Sequence, residues 1–390
     1  MISRIRNKLG SVTLPVLAFI LSLFIGGLLI AFTDSRVLSQ WKSPVKFVEA
    51  IVTTVGNAYL ALFQGAIFDT NLIGDKSFLA GFYPLTETLL KAAPLILAGL
   101  SVALAFKAGL FNIGAQGQFI FGAIGASYVG FHFHLPIGLH ALAAIAGALI
   151  AAALWGGFVG LLKARTGAHE VIVTIMMNYI AGYFILWLLG TRAFLRQGRV
   201  DPLAPPVAPN SQLPKLFGPN YRINIGIFIA LAVAVAIWWL LNRSTWGFKF
   251  RAVGANAAAA RTAGISVGKI TISVMALAGA LAGLGGAVQV LGSEYELTPD
   301  IAGSFGFDAI TVALLGRGSP FGVVLASLLF AGLRVGGTTM QSSAQIPVEI
   351  VFVIQALIIL FIAAPDLVKT IFRTKNLKTA EAMVSKGWNG

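Results

Sequence analysis

Long, nearly uncharged apolar runs dominate this sequence. The first, residues 12–32, is about 20 residues long, enough to cross roughly 30 Å of hydrocarbon as a helix. Across the chain 57% of residues are hydrophobic and 11% are charged, whereas soluble proteins carry about 25% charged residues. A soluble multidomain fold is therefore excluded, and the sequence predicts an integral membrane protein.

The same runs predict the fold class. Lipid offers backbone groups no hydrogen-bond partner, so a spanning segment must be a helix or part of a closed barrel, and no run alternates as a barrel strand does. We therefore predict an all-α, polytopic helical bundle forming a single transmembrane domain over residues 1–390. The predicted full spans, about eight, are residues 12–32, 84–106, 110–131, 135–162, 171–190, 223–241, 270–292 and 346–364.

Basic residues predict the orientation, because cytoplasmic loops carry them in excess. Both termini are expected inside, as is the loop between the sixth and seventh spans. The predicted cytoplasmic segments are residues 1–10, 242–269 and the basic tail 365–390. The predicted outer segments are residues 34–83 and 191–222. Within the first outer segment, residues 41–68 contain Glu49, Asn57 and Gln64, which favours an amphipathic surface segment over a span.

Residues 305–333 are apolar, but Gly316-Arg317-Gly318-Ser319-Pro320 interrupts their centre. A single crossing would place the basic tail outside, against the positive-inside rule. We therefore predict a broken pair of short helices, residues 307–315 and 321–333, which turn back at Arg317. The pair would enter and leave the membrane on the outer side.

Chemical sites are scarce. The chain has no cysteine, and His132 and His134 lack the spacing of a zinc site. Ala263 stands where a phosphate-binding loop would need its first glycine before Gly268-Lys269. We therefore predict no enzyme activity, no metal and no bound cofactor in this chain. The net charge of +14 is explained by the cytoplasmic loops, so nucleic acid is not an expected partner.

Polar residues at membrane depth are costly and mark candidate solute contacts. Two pairs share a helical face because they are four residues apart: Glu87 with Lys91, and Asn112 with Gln116. For Glu87 and Lys91 a structural ion pair near the outer end of the helix is the favoured interpretation. The predicted pathway residues are Glu87, Lys91, Asn112, Gln116, Gln118 and Asn178. Amides suit an uncharged polar solute, but hydrogen bonds that hold the bundle together explain them equally well.

Other intramembrane polar residues leave a second class open. Asn178, Gln289 and Gln355 are single amides for which a structural role is favoured. Asp308 and Glu349 are isolated acids, and together with the break at Gly316 they keep an ion-coupled secondary transporter as an alternative.

Four motifs resemble bacterial ABC importer permeases. They are Leu89-Leu90-Lys91-Ala92-Ala93-Pro94, the stretch from Phe106 to Gln118 containing Phe111-Asn112-Ile113-Gly114, the stretch from Glu170 to Tyr179, and Leu314-Leu315-Gly316-Arg317-Gly318-Ser319-Pro320. Nucleoside, guanosine-type permeases are the most similar branch, with ribose and branched-chain amino acid permeases related to them. The resemblance covers residues 80–365. It departs at Gln116, where many relatives have Glu, and at His169, where Asn is common.

The resemblance implies a permease subunit in a bacterial plasma membrane that imports nucleosides. Its implied partners are a second permease, two ATPase subunits that hold ATP and Mg, and an extracytoplasmic substrate-binding lipoprotein. Import of a sugar or a branched-chain amino acid is the alternative within the family.

The loop at 242–269 resembles the family's coupling loop, although Ala258 stands where that loop has Glu. We expect a short helix at about 255–263, with Asn256 as N-cap and Gly264 as C-terminal stop. It would dock on the ATPase. The predicted coupling residues are Arg251, Asn256, Ala259, Ala260, Arg261 and Gly264; in the competing interpretation the two arginines only anchor the loop inside.

Overall fold

The computed structural model describes residues 2–73 and 78–372, with side chains from Val16 onward. These residues form fifteen α-helices and no β-strand, and one isolated antiparallel bridge joins Lys215 to Asn224. The helices are α1 Ile2–Thr33, α2 Ser35–Leu38, α3 Pro44–Ala66, α4 Tyr83–Lys107, α5 Ala115–His132, α6 Leu139–Thr166, α7 Glu170–Leu189, α8 Gly226–Arg243, α9 Thr245–Ala255, α10 Ala257–Thr262, α11 Val267–Gln289, α12 Phe305–Leu315, α13 Pro320–Ala344, α14 Glu349–Ala363 and α15 Pro365–Ile371.

Eight helices among these residues are long and apolar enough to cross a membrane. They are α1, α3, α4 with the 3₁₀ turn Phe78–Phe82 that precedes it, α6, α7, α8, α13, and α11 together with the π-helical turn Val290–Glu294. In addition, α14 and α15 form an apolar pair bent by 93°. The all-α polytopic bundle is confirmed.

The eight candidate spans are not all the same segments as the eight that the sequence predicted. The predicted span at 110–131 starts later, because residues 110–114 form a loop and α5 begins at Ala115. With Gln116 and Gln118 in its first turn, α5 is not among the eight candidate spans. The predicted span at 346–364 is also absent from the eight, since its helix α14 is only 15 residues long. The long helices α3 and α13 take the two places.

The broken pair at 305–333 is present, but its second helix is longer than expected. Arg317 and Gly318 adopt φ values of 52° and 60° between α12 and α13, and such left-handed backbone ends a helix. The predicted end at residue 333 is wrong, since α13 continues to Ala344. The additional turns pack against α3, where the missing side chain of Gly336 lets α13 approach the backbone oxygen of Leu62.

The described chain divides into two compact units. The first combines the segments up to Thr88 and from Leu329 onward, and the second is the continuous segment Leu89–Leu328. The predicted tail residues Arg373, Lys375, Lys378 and Lys386 lie outside the described residues.

Within the first unit, α3 contacts α1, α4 and α13. Gly27, in the C-terminal part of α1, faces Val55 of α3. Gly65 faces Thr339 in the C-terminal part of α13, and Ala66 accepts a 2.7 Å hydrogen bond from Thr88, near the start of α4. By length and composition α3 is a candidate span, so the surface interpretation of residues 41–68 gains no support from the structure and stays a prediction.

Within the second unit, α11 packs closely against α5 and α6. A Cβ atom added to Gly122 of α5 would lie 2.2 Å from the Cα of Gly283 in α11. One added to Gly279 would lie 2.2 Å from the backbone oxygen of Ala152 in α6. Glycine at these positions therefore permits backbone-to-backbone packing, as in many membrane helix pairs.

Candidate functional site

The loop between α4 and α5 is held by buried amides. Asn112 is completely buried and uses its full hydrogen-bonding capacity. Its Nδ2 donates to Oε1 of Gln118 at 3.0 Å and to Oγ of Ser101 at 3.4 Å. Its Oδ1 accepts from Nε2 of Gln118 at 3.2 Å and from the backbone NH of Gly114 at 3.0 Å. The structure therefore brings two predicted pathway residues together as a reciprocal amide pair.

Asn178 and Gln116 bind backbone groups rather than each other. Asn178, on α7, accepts from the NH of Gly117 at 2.8 Å and donates to the oxygen of Ile113 at 2.9 Å. Gln116 is half-buried; it donates to the oxygen of Gly303 at 2.7 Å and accepts from the NH of Gly306 at 2.8 Å. These contacts fasten the start of α5 to α7 and to the start of α12. The geometry thus favours the structural interpretation for Asn112, Gln118 and Asn178, and their role in the pathway stays a prediction.

Lys91 belongs to a different cluster, at the far end of α11. Its ammonium lies 3.4 Å from Oε1 of Glu294, and Gln289 donates to the same oxygen at 2.9 Å. Glu87 lies one turn before Lys91 on α4, half-buried. Sequence reasoning missed Glu294 and assigned Gln289 a structural role. The signal available was a run of polar residues directly after a glycine-rich helix.

The two intramembrane acids lie at helix starts. Asp308 is in the first turn of α12 and accepts a 2.6 Å hydrogen bond from Ser304. Glu349 is exposed in the first turn of α14. Carboxylates are stabilised at helix N-termini by the helix dipole, so neither acid requires an ion-coupling role.

The predicted outer loop at 191–222 contains more basic residues than that side of the membrane would suggest, and some are paired. Arg199 donates to both oxygens of Asp201, at 2.8 and 2.9 Å, which lowers the pKa of that carboxyl group. Arg196 lies 3.5 Å from Glu296. These acids compensate part of the positive charge of the loop.

The predicted coupling segment forms two helices, α9 and α10. The side chain of Asn256 caps α10 by accepting a 2.9 Å hydrogen bond from the NH of Ala259, and Gly264 follows with φ = 79°. The short helix expected at about 255–263 is therefore present, although it starts at Ala257. The longer α9, capped by Ser244, was missed.

The exposed surface of this segment forms a groove between α9 and α10. The coupling groove has a cavity volume of about 360 Å³. It is lined by Phe248, Lys249, Ala252, Ala255, Asn256, Ala259, Ala260, Ala263 and Ile265. Three predicted coupling residues, Asn256, Ala259 and Ala260, line the groove, whereas Arg251, Arg261 and Gly264 are exposed nearby.

A close backbone contact joins α9 to the end of α4. A Cβ atom added to Gly254 would lie 2.5 Å from the oxygen of Lys107, and one added to Gly109 would lie 3.0 Å from the Cα of Gly254. Gly109, with φ = 72°, stands three residues before Asn112. The coupling segment therefore touches the loop that the buried amides hold.

Comparison with known proteins identifies the family. A family model described as the permease component of branched-chain amino acid transport systems matches residues 85–363. This chain belongs to that family of ABC transporter permeases. It is consequently a transport subunit rather than an enzyme, and the ion-coupled alternative is wrong. The family implies a multi-pass protein of the plasma membrane that works with ATPase and substrate-binding partners.

Three relatives have the same identity, 36%. The guanosine ABC transporter permease of Bacillus subtilis aligns over 92% of this chain and 94% of its own length. The glucose ABC transporter permease of Haloferax volcanii aligns over 86% and 90%, respectively. The nucleoside ABC transporter permease of Lactococcus lactis aligns over 77% and 85%.

Proposed function

We propose that this permease imports nucleosides. The observation that carries the proposal is the 36% identity to the guanosine permease over 92% of the chain, joined by the nucleoside permease at the same identity. A sugar is the second candidate, because the glucose permease is equally similar. Branched-chain amino acids are supported by the name of the family alone.

We propose further that ATP and Mg are bound by two ATPase subunits, and that a second, similar permease and an extracytoplasmic binding lipoprotein complete the importer. The coupling groove supports the ATPase contact. It is apolar, lined by small side chains, and flanked by the exposed cations Lys249, Arg251 and Arg261. Such a surface suits an apolar projection surrounded by carboxylates, because arginine binds carboxylates in charge-assisted pairs.

The contacts of α9 suggest how the ATPase signal would reach the membrane region. A displacement of α9 moves Gly254, which packs against Gly109. The loop that follows is fixed to α5 and α7 by Asn112 and Asn178. In this proposal the buried amides position the loop between the coupling segment and the solute-handling helices.

A charge reversal tests the coupling groove. We expect Arg261→Glu to leave the permease inserted at normal abundance while weakening co-purification of the ATPase and abolishing uptake. Arg243→Glu is the matched control, since Arg243 is also an exposed arginine of the same predicted cytoplasmic segment but ends α8, outside the two helices that form the groove, whereas Arg261 lies in α10. Reduced abundance in both variants, with the surviving protein fully coupled, would show that the arginines are only anchors.

Uptake measurements test the solute. Cells expressing the complete transporter should accumulate guanosine, and competition by excess glucose or leucine should have no effect. Saturable glucose uptake without guanosine uptake would replace the nucleoside by the sugar. A deletion of the ATPase gene provides the control, because uptake through an ATP-driven importer must then disappear.

We also propose that both termini are cytoplasmic and that residues 305–333 enter and leave on the outer side. A reporter that is active only outside the cell should be inactive when fused at Gly390 and active when inserted in the predicted outer loop at 191–222. Activity of the fusion at Gly390 would overturn the topology.

A further inference from the structure

The C-terminal end of α11 carries a cluster of polar groups that are not fully hydrogen-bonded. Gln289 is 3% exposed and Ser293 is 6% exposed. Among the described residues, Oε1 of Gln289 and Oγ of Ser293 have no hydrogen-bond partner. An unsatisfied buried polar atom costs about 1–3 kcal/mol, so each such group requires an explanation.

The helix changes type at this point. Residues Val290–Glu294 form a π-helical turn, and single π turns occur frequently at functional sites. A π turn bonds residue i to residue i+5, and Gln289 and Glu294 are five residues apart. The turn therefore brings these two side chains together, and Nε2 of Gln289 lies 2.9 Å from Oε1 of Glu294.

Lys91 completes the cluster from α4. Its ammonium also reaches Oε1 of Glu294, at 3.4 Å, so two donors share one carboxylate oxygen. The side chains of Lys91 and Glu294 are 28% and 38% exposed. The ammonium and the carboxylate are therefore accessible, and the unbonded amide oxygen of Gln289 lies buried on the same cluster.

We propose that Lys91, Gln289 and Glu294 bind the vicinal hydroxyl groups of a sugar ring in the transported solute. Adjacent hydroxyl groups can donate to the carboxylate of Glu294 and to Oε1 of Gln289, and they can accept from the ammonium of Lys91. The ribose of a nucleoside and the ring of a hexose share this chemistry, whereas a branched-chain amino acid lacks it. The proposal rests on the proposed function and names the part of the solute that is recognised.

The test compares each solute with its deoxy analogue. In cells carrying the complete transporter, KM should be measured for guanosine and 2′-deoxyguanosine, and for glucose and 2-deoxyglucose. We expect Glu294→Gln to raise KM for the hydroxylated solute about tenfold, because hydrogen bonds to charged groups contribute about 1.5–3 kcal/mol. Gln289→Met should raise it several-fold, because a hydrogen bond between neutral groups contributes about 0.5–1.5 kcal/mol. KM for the deoxy analogue should change little, so the preference for the hydroxylated solute should largely disappear.

Glu296→Gln is the matched control. Glu296 lies two residues further along and pairs with Arg196, so the variant removes a nearby carboxylate without touching the cluster. Its KM values should equal those of the unsubstituted transporter. Gln289→Met, which removes no charge, serves as the second variant if Glu294→Gln lowers the amount of inserted protein.

Three outcomes would decide against one or both proposals. Equal changes for a solute and its deoxy analogue in both variants, or no change at all, would overturn the sugar-ring site and leave nucleoside import intact. Glucose uptake without guanosine uptake would overturn nucleoside import. The KM values for glucose and 2-deoxyglucose would then test the sugar-ring site. Uptake of neither solute would overturn both proposals.

Discussion

Two regions built from glycine and alanine have opposite roles in this permease. At the contact between α5 and α11, Gly122 and Gly283 bring two backbones together, and both residues are buried. In α10, Ala257, Ala258 and Ala259 are exposed beside the coupling groove. Small residues thus permit close packing in the first region and leave an accessible surface in the second. Composition alone does not distinguish the two.

The largest loss of stability is predicted for a substitution at the buried contact between α5 and α11. Gly122→Leu should destabilise the permease by about 3 kcal/mol or more, because overpacking forces backbone shifts and even a Cβ would lie 2.2 Å from Gly283. Thermal unfolding of the purified protein would measure this. Gly182→Ala in α7 is the control, since a Cβ there meets nothing within 4 Å. Equal melting temperatures of Gly122→Leu and the unsubstituted protein would contradict the packing argument.

The buried amide pair should give the next largest effect. Asn112→Ala leaves the amide of Gln118 buried without its main partner, which should cost about 1–3 kcal/mol. Because the two residues bond reciprocally, the double variant Asn112→Ala/Gln118→Ala should be less destabilised than the sum of the single variants. Strict additivity in denaturation would show that the pair is not coupled. Unimpaired stability together with a raised KM in Asn112→Ala would restore this residue to the solute pathway.

At the coupling segment, a smaller effect is expected from Gly264. Gly264→Ala should cost about 1 kcal/mol, because its φ of 79° is unfavourable for residues with a Cβ. The space around Gly264 is open within 4 Å, so the cost arises from the backbone and not from bulk. Gly264→Asn should therefore be milder than Gly264→Ala. If it is not, contacts of the side chain must dominate at this position.

A substitution at Ala258 should have the smallest effect, and it should stabilise α10 rather than destabilise it. Ala258→Glu places a carboxylate in the first turn of α10, where the helix dipole stabilises it by about 0.3–1 kcal/mol. The residue is exposed, so no burial cost opposes this gain. Hydrogen exchange of the α10 amides should become slower, whereas Thr262→Glu at the other end of the helix should accelerate it. Identical exchange in both variants would contradict the dipole argument.

The capping residues in the sequence predicted α10 well. Asn256 and Gly264 act on neighbouring backbone through a side-chain cap and a positive φ, so the sequence carries the necessary information. The same reasoning failed for α13, which continues beyond its predicted end at residue 333 and packs against α3. Gly336 ought to weaken a helix, yet it permits contact with Leu62 more than 270 residues earlier in the chain.

The sequence by itself determined the membrane class, the all-α fold and the short capped helix, since hydropathy and capping depend on residues close together in the chain. Tertiary structure alone decided the partners of the polar side chains. Lys91 meets Glu294, and Gln116 meets Gly303, at sequence separations of 203 and 187 residues. The path that joins such residues depends on how every intervening helix packs, and a local pattern carries no information about it.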